Sequence, residues 1–167
     1  IMKKILLLLL TSCSASLFAQ PSQTYCQNFN GNQIFLSAST STLNLDNSFT
    51  IEAWVYLNES SPYAVIAGKV NNPRGNDPFQ NYVIALDQTG LKPEFVQTTG
   101  ISGSYTTATS PTNLALSTWT HIAATLGAGS MNLYVNGVLV NSTSPISSSP
   151  NGNLVLGNFG LSGGFPS

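Results

Sequence analysis

Charged side chains are scarce in this 167-residue sequence, where five lysines or arginines and six aspartates or glutamates make up 7% of the chain. The formal net charge is −1, and the few basic residues form no basic patch or stripe. A nucleic-acid-binding domain needs such a basic surface, so the composition argues against that class. One histidine and two cysteines also make a zinc site of Cys and His ligands unexpected.

Helical periodicity is missing as well. Apolar residues alternate with polar ones or occur in short runs, and Ser, Thr, Asn, Gln and Gly are spread throughout. The length suits one domain that buries a sizeable core. Together these features predict a β-rich domain whose outward strand positions carry hydroxyls and amides in place of charges.

The N-terminus resembles a targeting segment. Two lysines precede the apolar run Ile5–Leu10, which is too short to span a bilayer as a helix. We expect a signal peptide over residues 1–19, cleaved after Ala19, and a mature domain over residues 20–167. The alternative is lipidation of Cys13 in "LTSC", which would anchor the protein to a membrane. Either route predicts export to a secreted or cell-surface location, and it leaves Cys26 without a cysteine partner in this sequence.

The stretch "SFTIEAWVYL" predicts a strand with two different faces. Strict alternation places Ile51, Ala53 and Val55 toward a core, and Trp54 and Tyr56 on the opposite face. "AVIAGKV", farther along, is mostly apolar and predicts a strand buried on both sides.

Two turn signals predict hairpins. Asp87 and Gly90 fit the first and fourth positions of a type I turn. Asn136-Gly137 lies between "MNLYV" and "VLVNS", and it predicts a type I′ turn because both central residues of that turn need positive φ. About eight or nine short strands without a helix indicate a two-sheet sandwich. The side chains expected to be mostly buried are Phe29, Phe49, Ile51, Ala53, Val55, Ile66, Ile84, Leu86, Ile122, Ala124, Leu133 and Val135.

Four blocks, "FNGNQIFLSAS", "SFTIEAWVYL", "STWTHIAATL" and "MNLYVNGVLV", resemble in order and spacing the laminin G-like domains of the concanavalin A-like lectin and glucanase superfamily. The resemblance covers about residues 26–160 and is closer to bacterial members. It implies an all-β, two-sheet antiparallel jelly-roll sandwich with one concave face. It also implies an adhesive or sugar-binding role. Such domains usually end in a strand that is not found here, so we expect truncation before the closing strand and further domains C-terminal to it.

The only histidine, His121, lies two residues after Trp119. In "TWTHIAATL" the apolar face is occupied by Ile122, Ala124 and Leu126, so Trp119 and His121 project to the opposite side. They either contact a ligand, the ring stacking on a sugar and the imidazole donating a hydrogen bond, or form an ordinary strand surface. Because similar stretches occur in these domains whatever the ligand, the resemblance favours the strand surface.

Other ligand-binding candidates lie in loops and on one strand face. Arg74 is the only arginine and belongs to the long loop "NNPRGNDPFQN", and Tyr105 lies in a second, hydroxyl-rich loop. Trp54 and Tyr56 form a third candidate.

Some laminin G-like domains hold calcium at the rim of the sandwich, so the resemblance makes calcium a possible cofactor. Asn76 and Asp77 are its best candidate ligands, followed by Asp87. The alternative is that all three are turn formers.

Glycoside hydrolases of the same superfamily use two carboxylates around the scissile bond, often as E-x-D-x-x-E. No such triplet is found in this sequence. We therefore expect a noncatalytic module that binds a glycan or an extracellular protein, as in adhesion. A glycoside hydrolase domain and a structural spacer in a larger surface protein are the alternatives.

Overall fold

The computed structural model describes residues 29, 35–36, 45, 48–70, 82–98, 105–147 and 153–157. These residues form ten β-strands and no helix, and therefore no helix long and apolar enough to cross a membrane is found among them. The strands are β1 (Phe35–Leu36), β2 (Phe49–Tyr56), β3 (Val65–Val70), β4 (Tyr82–Leu86), β5 (Pro93–Thr98), β6 (Tyr105–Thr109), β7 (Trp119–Gly127), β8 (Ser130–Val135), β9 (Val138–Thr143) and β10 (Asn153–Leu156).

The strands form two antiparallel sheets. One has six strands in the order β1-β10-β3-β4-β5-β6, and the other has four in the order β2-β7-β8-β9. β2 pairs with β7, and β10 inserts between β1 and β3, so strands far apart in the sequence become neighbours. This arrangement confirms the predicted two-sheet jelly-roll sandwich.

The main core lies between the two sheets. Its fully buried members come from both of them, with Ile84 and Phe95 from the six-stranded sheet facing Ile122, Met131 and Leu133 from the four-stranded one. Alternation along each strand supplies these side chains, because every second residue projects inward.

The expected core residues divide into a buried set and a half-buried set. Those that are buried are Ile84, Leu86, Ile122, Ala124 and Leu133. Those that are only half-buried are Phe29, Phe49, Ile51, Ala53, Val55, Ile66 and Val135. Four of the half-buried residues belong to β2, which is the end strand of its sheet, so its inward side chains lie at the rim of the core. Ile51 and Val55 still pack against the core cluster, which confirms the predicted facing of this strand.

A second apolar cluster contains the outward side chains of the six-stranded sheet. Its members are Val65, Val83, Ala85, Val96 and Val155, all at most 3% exposed. β4 is consequently buried at all five positions. The prediction that "AVIAGKV" forms a strand buried on both sides is confirmed. Val65 belongs to this cluster, and after a β-bulge Ala67 lies opposite the inward-facing Ile84 and is also buried.

Both predicted hairpins form. The Gly90 N–H donates to the Asp87 carbonyl over 2.9 Å and joins β4 to β5. Asn136 and Gly137 have φ angles of 50° and 77°, as a type I′ turn requires, and they join β8 to β9. Turn chemistry encoded in two or four residues therefore fixes these connections.

Gly90 is also packed against the segment that follows β2. A Cβ added there would lie 2.4 Å from the Ser61 backbone nitrogen and 2.5 Å from that of Pro62, whereas one added at Gly137 would meet nothing within 4 Å. Both glycines have positive φ, at 70° and 77°.

We predict that Gly90→Ala lowers the free energy of unfolding by more than about 3 kcal/mol, because the clash with the backbone of residues 61–62 adds an overpacking cost to that of positive φ. Gly137→Ala, the matched control, should lower it by only about 1 kcal/mol, because it adds the cost of positive φ without a clash. Urea denaturation of both variants measures the difference. Equal losses would show that the contact with residues 61–62 does not constrain this turn.

Candidate functional site

Four predicted site residues meet on one face of the four-stranded sheet. In the β2–β7 pairing, Trp54 lies opposite His121 and Tyr56 lies opposite Trp119. Opposed residues of an antiparallel pair project to the same side, and here that side is away from the core. The ring centroids are 5.2 Å apart in the first pair and 5.5 Å apart in the second. We call these four side chains the aromatic face.

The aromatic face is partly open to solvent. Tyr56 is 40% exposed, while Trp54, Trp119 and His121 are half-buried. The Trp119 indole N–H is buried and has no hydrogen-bond partner among the described residues. An unsatisfied buried donor costs about 1–3 kcal/mol, so the indole nitrogen does not stabilise the fold through any contact with a described residue. What Trp119 presents to its surroundings is therefore its ring.

One carboxylate borders the aromatic face. His121 Nε2 lies 3.5 Å from Glu52 Oε2, and the two side chains are 24% and 64% exposed. No other interaction of the Glu52 carboxylate occurs with a described residue. Its remaining lone pairs are therefore available to solvent or to a ligand.

The backbone of His121 is fixed by the β8–β9 turn. Its N–H donates to Asn136 Oδ1 over 3.0 Å, and its carbonyl accepts from the Asn136 N–H over 2.8 Å. One asparagine thus satisfies both backbone groups of the residue at the centre of the aromatic face.

Sequence reasoning missed two residues of this face, Ala123 and Tyr134. Ala123 lies opposite Glu52 on one side and Tyr134 on the other, so these three side chains form a row across β2, β7 and β8. Tyr134 alternates with the buried Leu133 and the half-buried Val135, and this period of two in "MNLYV" is the signal that places it outward.

The remaining predicted site residues are not part of this cluster. Tyr105 was predicted to lie in a loop, but it is the first residue of β6, the end strand of the other sheet, where it is 47% exposed. Arg74, Asn76 and Asp77 lie outside the described residues, so the loop and calcium hypotheses for them remain predictions. No group of three or more His, Cys, Asp or Glu side chains that could hold a metal ion occurs within the described ranges.

Asp87, the further calcium candidate, organises its own turn. Its Oδ1 accepts hydrogen bonds from the N–H groups of Thr89, Leu91 and Lys92 and from the Thr89 hydroxyl. Burial raises the pKa of Asp87, but these hydrogen bonds outweigh it and hold the pKa below its usual value. This geometry matches the turn-former alternative.

Glu94 is the buried carboxyl of the six-stranded sheet. It lies on β5 between Ala85 and Thr109, and its side chain is 9% exposed. Burial raises the pKa of Glu94 to about 7, and the charge of Asp87 acts in the same direction, against a hydrogen bond from the Thr109 hydroxyl. Because it lies on the other sheet, Glu94 is not a second carboxylate of the aromatic face.

The two antiparallel sheets define the chain as a jelly-roll β-sandwich. Within that class, a family model of laminin G-like domains, described as the concanavalin A-like lectin/glucanases superfamily, matches residues 30–164. The chain belongs to this superfamily, as its four sequence blocks indicated. No functionally curated protein is significantly similar to it in sequence.

Two solved structures illustrate the shared fold. Domain 4 of a GH43 extracellular arabinanase from Geobacillus stearothermophilus, in complex with arabinotriose, has 18% identity and a TM-score of 0.58, covering 79% of this chain and 61% of that one. Domains LG4-5 of the mouse laminin alpha1 chain have 13% identity and a TM-score of 0.58, covering 82% and 35%. This chain thus spans less than two thirds of either one.

We predict that Glu94 makes stability depend on pH. The folded state keeps the proton up to about pH 7, whereas the unfolded chain releases it near 4.5, so stability is greatest below 4.5 and falls as the pH rises to about 7. The difference corresponds to about 3 kcal/mol. Glu94→Gln should remove this decline in urea denaturation at pH 5 and pH 8, and the exposed Glu59→Gln should retain it. A variant with the same pH profile as the parent would refute the assignment.

Proposed function

We propose that this chain is a noncatalytic carbohydrate-binding module of an exported protein and that it binds glycan on the aromatic face. The observation that carries the proposal is the convergence of Trp54, Tyr56, Trp119 and His121 on one partly open face of the four-stranded sheet. Sandwich formation alone does not need these rings on the side away from the core.

The chemistry of this face suits a sugar. An aromatic ring offers a flat apolar surface, and the C–H face of a sugar ring stacks on such a surface. Polar groups at the edge fix the orientation of a ligand by hydrogen bonds to its hydroxyls. Trp54 and Tyr56 supply the surface, while Glu52 and His121 supply the polar edge.

The relatives support the same class of ligand. The arabinanase domain that shares this fold was solved with arabinotriose bound. The description of the superfamily names lectins and glucanases, which are classes of protein that bind or cleave carbohydrates. At 18% identity this similarity carries the fold, so the assignment of a binding site rests on the residues of this chain.

Binding without cleavage is supported by the number of carboxylates. Glycoside hydrolysis by the usual route needs two carboxyl groups about 5 to 9 Å apart. Among the described residues, the aromatic face has only Glu52 beside it, and the buried Glu94 belongs to the other sheet. One carboxylate can accept hydrogen bonds from a sugar, but it cannot act as both acid and nucleophile.

Export forms the second part of the proposal. It is supported by the lysines and apolar run that precede Ala19 and by the cysteine in "LTSC".

We predict that Trp54→Ala and Tyr56→Ala each weaken oligosaccharide binding at least tenfold. Tyr105→Ala is the matched control, because it removes an exposed tyrosine from the other sheet and should leave affinity unchanged. A glycan array identifies the ligand, and calorimetry measures the affinities. A folded chain that binds no glycan would shift the assignment to binding of an extracellular protein or to a spacer role.

We also predict that the chain, expressed in a bacterial host, is recovered outside the cytoplasm with Gln20 as its first residue. Mass spectrometry of the N-terminus measures this directly. A diacylglyceryl group on Cys13 would establish the lipoprotein alternative instead. An intact N-terminus in the cytoplasm would contradict both routes of export.

A further inference from the structure

We infer that the binding face extends across all four strands of its sheet, through Tyr134 to Leu139, and that its ligand is a linear glycan chain of more than two sugar units. This inference rests on the carbohydrate-binding function proposed above. It adds the size class of the ligand and two residues that decide this size.

Tyr134 and Leu139 continue the aromatic face toward the far end of the sheet. Tyr134 of β8 lies opposite Ala123 of β7, and Leu139 of β9 lies opposite Tyr134. Opposed residues of an antiparallel pair project to the same side, so Tyr134 and Leu139 share the outward side with His121. Ala123 is only 9% exposed, so there is no gap between these side chains. The outward face is therefore continuous from β2 to β9.

Both added side chains are accessible to a ligand. Leu139 is 52% exposed, and Tyr134 is half-buried. A single exposed apolar side chain is common on protein surfaces, but Leu139 lies beside a tyrosine and in line with the aromatic face.

The Tyr134 hydroxyl adds a polar group to this apolar surface. It makes no hydrogen bond with any residue in the described part of the chain. A phenol hydroxyl can both donate to and accept from a sugar hydroxyl. Its ring and the Leu139 side chain offer an apolar surface to the C–H face of a sugar, as Trp54 and Tyr56 do at the other end.

The width of the sheet sets the length of the ligand. Three spacings of about 4.8 Å separate β2 from β9, so Leu139 lies about 14 Å from Trp54 across the strands. The Trp54 and His121 rings, whose centroids are 5.2 Å apart, offer room for one sugar unit or two. A disaccharide seated there does not reach Leu139. A longer chain that crosses the strands contacts both ends of the face.

Val138 supplies a matched control for Leu139. The two residues are adjacent on β9, and Val138 is 64% exposed. Val138 lies opposite Val135, which packs against the core cluster. Val138 therefore projects to the core side of the sheet and Leu139 to the outward side, because successive strand residues alternate.

The test compares short and long ligands on the full chain. Arabinobiose and xylobiose are the short probes, arabinohexaose and xylohexaose are the long ones, and calorimetry measures the affinities. We expect a hexasaccharide to bind at least about tenfold more tightly than the disaccharide of the same series, because it adds apolar contact at Tyr134 and Leu139.

Variants locate the additional contacts. Tyr134→Ala should weaken hexasaccharide binding about fivefold and Leu139→Ala about threefold, as expected for loss of a stacked ring and of a partly covered aliphatic group. Neither should change disaccharide binding, whereas Trp54→Ala should weaken both. Val138→Ala should leave both affinities unchanged. Circular dichroism confirms folding, and because Leu139→Ala changes only an exposed side chain, it keeps the test valid even if Tyr134→Ala is unstable.

The outcomes separate the two proposals. Equal affinity for the two lengths, or hexasaccharide binding that neither Tyr134→Ala nor Leu139→Ala weakens, would overturn the extended face and leave carbohydrate binding intact. Equal losses for both lengths in these variants would also overturn it, because a disaccharide on the aromatic face does not reach them. If neither series binds, this inference fails, and carbohydrate binding fails with it only when the glycan array is blank as well.

Discussion

The antiparallel pairing of β2 with β7 is the interaction on which both the core and the candidate site depend. It joins residues about 70 positions apart in the sequence through eight consecutive pairs, from Phe49 with Leu126 to Tyr56 with Trp119. Side chains alternate along each strand, so one register decides both faces of this pair. The register that turns Ile51 and Ala124 inward also brings the aromatic residues together outside.

That dual role couples the stability of the fold to the proposed binding function. Shifting β2 by one residue would place Trp54 and Glu52 against the core and expose Ile51 and Val55, so the fold could not lose this register without losing much of its apolar burial. The aromatic face is consequently held by the packing behind it. A rigid β-sheet keeps its rings in place before a ligand arrives, which reduces the entropy lost on binding.

The sequence predicted the faces of individual strands well, because alternation is a local property. The inward direction of Ile51 and Val55 and the outward direction of Trp119 and His121 are both found in the structure. Which strands lie side by side is decided by connections that cross between sheets, and no local pattern encodes it. In the sequence, Trp54 and Tyr56 on one strand and Trp119 and His121 on another are therefore separate candidates. Only the pairing of β2 with β7 brings them together.

Alternation also treats an end strand and a central strand alike. It predicted that the inward residues of β2 are mostly buried, whereas in this end strand they are only half-buried. Conversely, polar residues of the six-stranded sheet such as Glu94 and Gln97 are buried, although their chemistry suggests exposure. Burial of this kind depends on what covers a sheet, and that is a property of the whole fold.

The double hydrogen bond between Asn136 and His121 restricts what can stand at the tip of the β8–β9 hairpin. Glycine would satisfy the turn, but it has no side-chain oxygen for the His121 amide. Aspartate has the oxygen and also tolerates positive φ, so it could replace asparagine at this position. Asparagine supplies both the positive φ of the turn and an acceptor for the His121 amide, so the constraint at this turn comes from the neighbouring aromatic face as well as from the hairpin.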